Sequence, residues 1–268
     1  MKRYKILVSD FDGTLASSQN KISEVNLSAI NGFVSRGGIF VLSSGRATDG
    51  ISKILLSQGF SGLLSSFNGA VLYDLNEKKI LASKCVPTHL CLRFIDYATK
   101  NGLYYHLYGE TGFYFPFETE RTSLYERLTL VQGKNIENMY SFVESTCAST
   151  PKILVFDDKD KLDAHFSAIV SLLPECDVVR STDNMIDINL KGVNKGSALD
   201  LIAQNFCVRV EDIIAVGDAG NDLAMIEREC LSVAVANATE EIKAVAKVIS
   251  PYTNDDNAVA HLIEDFCI

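Results

Sequence analysis

Four short segments of the chain carry residues suited to phosphoryl transfer: Asp10-Phe11-Asp12-Gly13-Thr14-Leu15, Ser43-Ser44-Gly45-Arg46, Lys195-Gly196 and Gly217-Asp218-Ala219-Gly220-Asn221-Asp222. Together they offer a nucleophilic carboxylate, a second carboxylate for proton transfer, a hydroxyl, a cation and carboxylates for a metal ion. Phosphate ester hydrolysis requires these groups. Asp10 and Asp12 lie just beyond the apolar run 4–8, and the carboxyl ends of strands are where open α/β sheets bind ligands. In extended backbone their side chains share a face while Phe11 turns away. Gly13 permits a sharp exit, and Thr14 can hydrogen-bond back to hold the loop. An acidic turn after a strand is common, so this segment alone has a purely structural explanation of equal merit.

The second acidic segment changes the balance. Residues 213–216 are apolar and end at Gly217-Asp218, with Asn221 and Asp222 opening the next helix. Helix capping accounts for one such side chain, since Asp and Asn oxygens accept from the free N–H groups of a first turn. It does not account for Asp218 together with Asn221 and Asp222. Two carboxylate clusters at the ends of parallel strands suit a hard cation, and Mg²⁺ takes a few carboxylates, a carbonyl, waters and substrate phosphate. Ser44 and Gly45 offer a hydroxyl and a backbone N–H for phosphate oxygens at a helix N-terminus, with Arg46 beside them. Lys195 is the cation expected to neutralise nucleophile and phosphoryl charge. In isolation each would pass for a turn or a surface residue; their combination is the signal. The four histidines (89, 106, 165 and 261) show no ligand spacing.

The elements that must position these residues read as a doubly wound α/β core. Residues 4–8 and 39–42 are apolar at consecutive positions, as in strands covered on both faces. Ser23 precedes a helical pattern closed by Gly37-Gly38, and a second helix ends near Gly59. Short strands at 63–64 and 70–73 flank the turn Asn68-Gly69. Such alternation predicts a parallel sheet with helices on both sides. From about Ser83 the texture changes. A helix from Pro87 to Asn101 leads to aromatic segments 103–108 and 112–117, which read as an antiparallel hairpin. A strand (152–156), a helix (162–173) and two more strands (177–180, 185–190) follow. After Gly192 the first texture returns, with helices at 195–206, 223–229, 239–246 and 258–266 around strands 213–216 and 231–235. The expected organisation is a discontinuous core, 1–82 and 191–268, interrupted by an inserted α+β cap domain, 83–190.

Composition bounds the partners. Net charge is −9, and no basic block is there to neutralise a nucleic acid backbone. No apolar stretch approaches the length of a membrane span, and the N-terminal run is too short for a signal segment. Seven cysteines without a C-x-x-C pair read as reduced thiols, which implies a cytoplasmic setting.

The order D-x-D-G-T-L, S-G-R, K-G, G-D-x-x-N-D resembles the haloacid dehalogenase-like (HAD) superfamily of phosphotransferases over essentially the whole chain. Asn68-Gly69-Ala70 and the run from Gly192 to Leu199 are similar to the Cof-type branch of sugar-phosphate phosphatases, which carries an inserted C2-type cap. Between Asp12 and Ser44 lie 31 residues, and between Ser44 and Lys195 lie 150, which matches that insertion point. The resemblance implies Asp10 as the nucleophile forming an aspartyl-phosphate and Asp12 as general acid/base. Mg²⁺ would be held by Asp10, Asp218 and the carbonyl of Asp12, with Asp222 in support. Ser44, Gly45, Lys195 and Asn221 would bind the phosphoryl group. Ser44 stands where that branch usually has threonine. The implied activity is Mg²⁺-dependent hydrolysis of small phosphomonoesters, sugar phosphates foremost. A phosphomutase of the same superfamily and a phosphate-binding sensor without turnover are the alternatives; a sensor would tolerate loss of Asp12 or Lys195, and both are present. One face of the aromatic hairpin is expected to pack on cap helices, and the other to roof the active site.

Overall fold

The computed structural model describes residues 3–109 and 112–268. In chain order, the first elements are β1 (Ile6–Asp10), α1 (Glu24–Ser35), β2 (Ile39–Ser43), α2 (Thr48–Ser57), β3 (Leu63–Ser66), β4 (Val71–Asp74) and β5 (Lys79–Ser83). Then come α3 (Thr88–Lys100), β6 (Tyr105–Tyr108), β7 (Phe113–Phe115), α4 (Glu120–Thr129), β8 (Gly133–Asn135), α5 (Met139–Thr146), β9 (Ile153–Phe156), α6 (Lys159–Leu172), β10 (Cys176–Thr182) and β11 (Met185–Leu190). The last are α7 (Lys195–Phe206), β12 (Ile213–Gly217), α8 (Leu223–Ile226), β13 (Leu231–Ala234), α9 (Glu240–Val245), β14 (Val248–Ile249) and α10 (Ala258–Phe266). The chain divides into two compact units: Met1–Arg46 with Ile51–Ser83 and Val193–Ile268, and Ala47–Gly50 with Lys84–Gly192. Among the described residues no helix is long and apolar enough to cross a membrane.

The first unit is an eight-stranded sheet in the order β14-β13-β12-β1-β2-β3-β4-β5. Strands from β14 through β3 run parallel. Every residue of β1 and β12 is buried, which explains their unbroken apolar character: parallel strands carry crossover helices on both faces. The sequence pattern predicts a parallel sheet, yet β4 and β5 are antiparallel. The link from β3 to β4 is a single tight turn, Phe67–Gly69, too short for the crossover that a parallel neighbour needs. The α/β fold class stands with this antiparallel margin.

The second unit has a six-stranded sheet, β10-β11-β9-β6-β7-β8, antiparallel except for the β7–β8 pair. On one face Tyr105, Leu107, Ile153, Val155, Ile186 and Ile188 join Leu90, Phe94, Val143, Leu162 and Ile169 from α3, α5 and α6 in one apolar core. The other face of the aromatic hairpin is also covered. His106 stacks on Phe113 at 4.1 Å, and Tyr125 of α4 packs edge-on against both rings at 4.8 and 5.6 Å. Helix α4 thus covers the hairpin face that was expected to roof the active site. Tyr104, Tyr105, His106, Tyr108, Phe113 and Phe115 are all buried, and Tyr114 lies against Phe142. Only Phe117, just beyond β7, is well exposed.

Burial in this aromatic box and the nearby Lys152 charge push the His106 imidazole down to about 3. Unfolded, the same group titrates near about 6.5, so between these values the unfolded chain binds the extra proton. The stability this neutral histidine contributes is complete above pH 6.5 and lost as pH falls toward 3. At pH 5 the loss amounts to roughly 2 kcal/mol, from 1.36 kcal/mol per pH unit. Urea unfolding of the second unit's signal at pH 7.5 and pH 5 should show that fall in the native chain and a much smaller one in His106→Phe. Equal pH dependence in the two proteins would show that His106 is not the titrating group.

Candidate active site

The site forms where three parallel strands end together. The ladder sets Asp10 level with Ser43 of β2 and Ser9 level with Val216 of β12, so the loops after β1, β2 and β12 leave the sheet side by side. After β1 the chain turns sharply through Gly13, whose φ of +80° is the left-handed region that glycine adopts without penalty. A Cβ there would also come within 2.5 Å of the Asp218 Oδ2, so a side chain at this position collides with the neighbouring acidic loop.

Lys195 links the loops. It is the first residue of α7, whose N-cap Asn194 accepts from the Ser197 N–H at 2.9 Å. A Cβ on Gly196 would lie 2.1 Å from the Ala224 carbonyl oxygen; its absence lets this end of the helix approach α8 closely. The fully buried Lys195 Nζ donates to Asp10 and, at 2.6 Å, to the Asp222 Oδ1. The other Asp222 oxygen accepts from the backbone N–H groups of Asp218 and Ala219 at 2.9 and 3.1 Å. Both oxygens of Asp222 are thus engaged, and it caps the turn while anchoring the lysine. Capping, the plainer explanation of an acid at this position, is half of what it does.

Asp218 is half-buried and accepts from the Thr14 hydroxyl at 2.8 Å, so Thr14 ties its loop to the second acidic loop instead of bonding back. Carboxylate oxygens of Asp10, Asp218 and Asp222 lie within 4.8 Å of one another. Burial, then the Asp222 and Asp218 charges, hold the Asp10 carboxyl well above the usual carboxylate range, while the lysine pulls it down. Burial likewise raises Asp218, and Asp10 and Asp222 hold the Lys195 ammonium above its ordinary value despite its burial. One cation among three carboxylates leaves an excess of negative charge in a dry site. A divalent cation fits that excess, and with both Asp222 oxygens already bonded, Asp10 and Asp218 have the freer oxygens for it.

Ser44, Gly45 and Arg46 form the loop after β2. Ser44 is buried and its Oγ accepts from the Arg46 N–H at 3.2 Å. Arg46 points at Asp12, donating Nε to Oδ2 at 3.0 Å and Nη2 to Oδ1 at 2.6 Å. Asn221 is exposed in the turn before α8. The predicted residues therefore fall into a buried network (Asp10, Lys195, Asp218, Asp222), a surface pair (Asp12, Arg46) and loop positions beside them (Ser44, Gly45, Asn221).

Sequence reasoning missed the supporting roles of four residues, although it places Asn68 in a turn. Asn237 donates its Nδ2 to the Gly13 carbonyl at 2.8 Å, and the Thr239 N–H donates to the Asp218 carbonyl at 2.9 Å. Asn68 donates its N–H to the Ser44 carbonyl, and Phe67 to that of Arg46, both at 3.0 Å. Phe67 and Asn68 hold φ values of +52° and +54°, an unusual pair of left-handed non-glycine residues directly behind the loop. The signal for Asn237 and Thr239 was available, since residues 236–239 follow another parallel strand at the same edge.

Lys195 makes the cluster tolerable. Removing one partner of a buried ion pair typically costs about 3–5 kcal/mol, because the remaining charges are stranded. Lys195→Met should lose stability of that order in urea unfolding at pH 7.5 with chelator present. A loss below about 1 kcal/mol would exclude a structural role for the lysine.

The profile of the haloacid dehalogenase-like hydrolases matches residues 7–263. Phosphatase YwpJ of Bacillus subtilis is 27% identical over 284 residues, covering 97% of this chain and 99% of its own. The Bacillus subtilis 5-amino-6-(5-phospho-D-ribitylamino)uracil phosphatase YwtE is 26% identical over 289 residues, covering 97% of each chain. An X-ray crystal structure from Thermotoga maritima superposes with a TM-score of 0.86 at 26% identity, covering 99% of this chain and 98% of that one. With the strand-end cluster in place, the chain belongs to the haloacid dehalogenase-like hydrolases.

Proposed function

We propose that the protein is a Mg²⁺-dependent phosphatase of small phosphomonoesters, acting through an aspartyl-phosphate on Asp10. The observation that carries this reading is the buried Asp10 carboxylate, held by the Lys195 ammonium within a three-carboxylate cluster. Family membership and the phosphatase names of its relatives support the reaction class. The relative named for a phosphorylated ribityl compound supports a sugar-like leaving group.

In this reading an oxygen of Asp10 attacks phosphorus while the bond from phosphorus to the ester oxygen breaks. Asp12 gives its proton to the departing oxygen. It then takes a proton from the water whose oxygen attacks the phosphoryl group, freeing Asp10 and inorganic phosphate. Lys195 restrains the nucleophile and, with Ser44, Gly45 and Asn221, receives phosphoryl oxygens. Mg²⁺, held by the Asp10 and Asp218 carboxylates and the Asp12 carbonyl with Asp222 in support, supplies charge neutralisation when bound.

Asp10→Asn should abolish phosphate release, since the amide is nearly isosteric but does not attack phosphorus. The thermal melt should stay cooperative. A fresh preparation retaining more than about a tenth of native activity would remove Asp10 as nucleophile, given that covalent catalysis contributes orders of magnitude. Excess chelator should abolish turnover and Mg²⁺ should restore it, with Ca²⁺ a poor substitute because its coordination is looser. Undiminished activity in chelator would refute the metal requirement. A protein that binds phosphate esters but turns over none of a broad panel would be a sensor instead.

A further inference from the structure

Arg46 is fixed by its backbone, and its side-chain hydrogen bonds go to Asp12. Its N–H donates to the Ser44 Oγ and its carbonyl accepts from the Phe67 N–H at 3.0 Å, so its Cα is tied to the loop after β2 and to the turn after β3. The guanidinium lies 5.9 Å from the Phe11 ring centroid and forks onto both oxygens of Asp12. The two side chains are 43% and 46% exposed. Ion pairs at such exposure add about 0–1 kcal/mol to stability, so stability does not explain this one. What a bidentate fork provides is orientation, because the planar guanidinium admits the carboxylate in one pose.

That pose has a consequence for the proton transfer assigned to Asp12 above, and the inference rests on that assignment. As the acceptor of both N–H groups, the Asp12 carboxylate is turned to Arg46 and carries no proton for a leaving group. Arg46 grows from the same loop as Ser44 and Gly45, so a phosphoryl dianion seated there lies beside its guanidinium. We infer that Arg46 is a positioning residue that parks Asp12, and that the bound phosphoryl group draws off part of the fork and frees one Asp12 oxygen. The freed oxygen takes up a proton from solvent, and the carboxyl transfers that proton to the ester oxygen as the bond from phosphorus to that oxygen breaks and the bond to Asp10 forms. Proton transfer is thereby coupled to occupancy of the phosphate loop. Arg46, a candidate phosphate-binding residue by sequence, acts chiefly through Asp12.

A double-mutant cycle with two esters tests this. Glycerol 2-phosphate has a poor leaving group that needs a proton; p-nitrophenyl phosphate has a good one that does not. Arg46→Gln should lower kcat for glycerol 2-phosphate at least about tenfold more than for p-nitrophenyl phosphate, within the about 10²–10⁴-fold span of general acid catalysis. In an Asp12→Asn background the same substitution should add almost nothing for glycerol 2-phosphate, because residues acting as a unit are not additive. Arg46→Lys, which keeps the charge and loses the fork, should stay close to Arg46→Gln. Equal losses on both esters, multiplicative effects in the double mutant, full recovery in Arg46→Lys, or no loss at all would each overturn the inference. Native protein that hydrolyses neither ester with Mg²⁺ would remove the proposed phosphatase function, and this inference with it. Melting curves of every variant show that folding is not what is being read.

Discussion

One buried ammonium among three carboxylates constrains everything around it. Lys195 has no exposed surface, and a lysine is taken that far from water only where partners replace its hydration. Asp10 and Asp222 are those partners, and each is placed by a different part of the chain. β1 must sit centrally, α7 must approach α8 without a side chain between them, and the turn after β12 must present two N–H groups to Asp222. Breaking any of these leaves an uncompensated charge in the interior.

The arrangement separates two kinds of carboxylate. Asp222 is spent on structure, with one oxygen on the lysine and the other on backbone donors. Asp10 and Asp218 are less satisfied and correspondingly raised by burial. Strain of this kind is expected at sites of binding and chemistry, where groups are kept imperfectly paired until a ligand arrives. The left-handed backbone at Phe67 and Asn68 is a second instance, located behind the Ser44 loop.

Much of the core was legible in the sequence because its central strands are buried on both faces. The runs 39–42 and 213–216 carry no alternating polar residues and end at chemistry-bearing turns. The second unit was less legible. Helix α4 buries only Thr122 and Tyr125 against the aromatic segment, while its Leu124 and Leu128 point to solvent, so no amphipathic period marks it. The hairpin consequently looked open on one side. The antiparallel β4 and β5 depend on a three-residue turn, whose consequence for direction is geometric and leaves no trace in hydrophobic pattern. At the site, spacing along the chain identified which acids and which lysine belong together. It carried no information on how the hydrogen bonds are shared, so the double engagement of Asp222 and the pairing of Arg46 with Asp12 emerge only from side-chain geometry.

The central position of β1 bears on how the protein is made. Its two ladder neighbours are β2, which leaves the ribosome soon after it, and β12, which is synthesised only after the whole inserted segment. Asp10 likewise waits 185 residues for Lys195. Contacts this distant in sequence close late, since the loop between them must first be ordered. The segment from Lys84 to Gly192, by contrast, carries its own apolar core and its own sheet. During synthesis the inserted unit therefore has all its packing partners before the first strand of the sheet has both of its own, and the carboxylate–lysine cluster is among the last features of the molecule to exist.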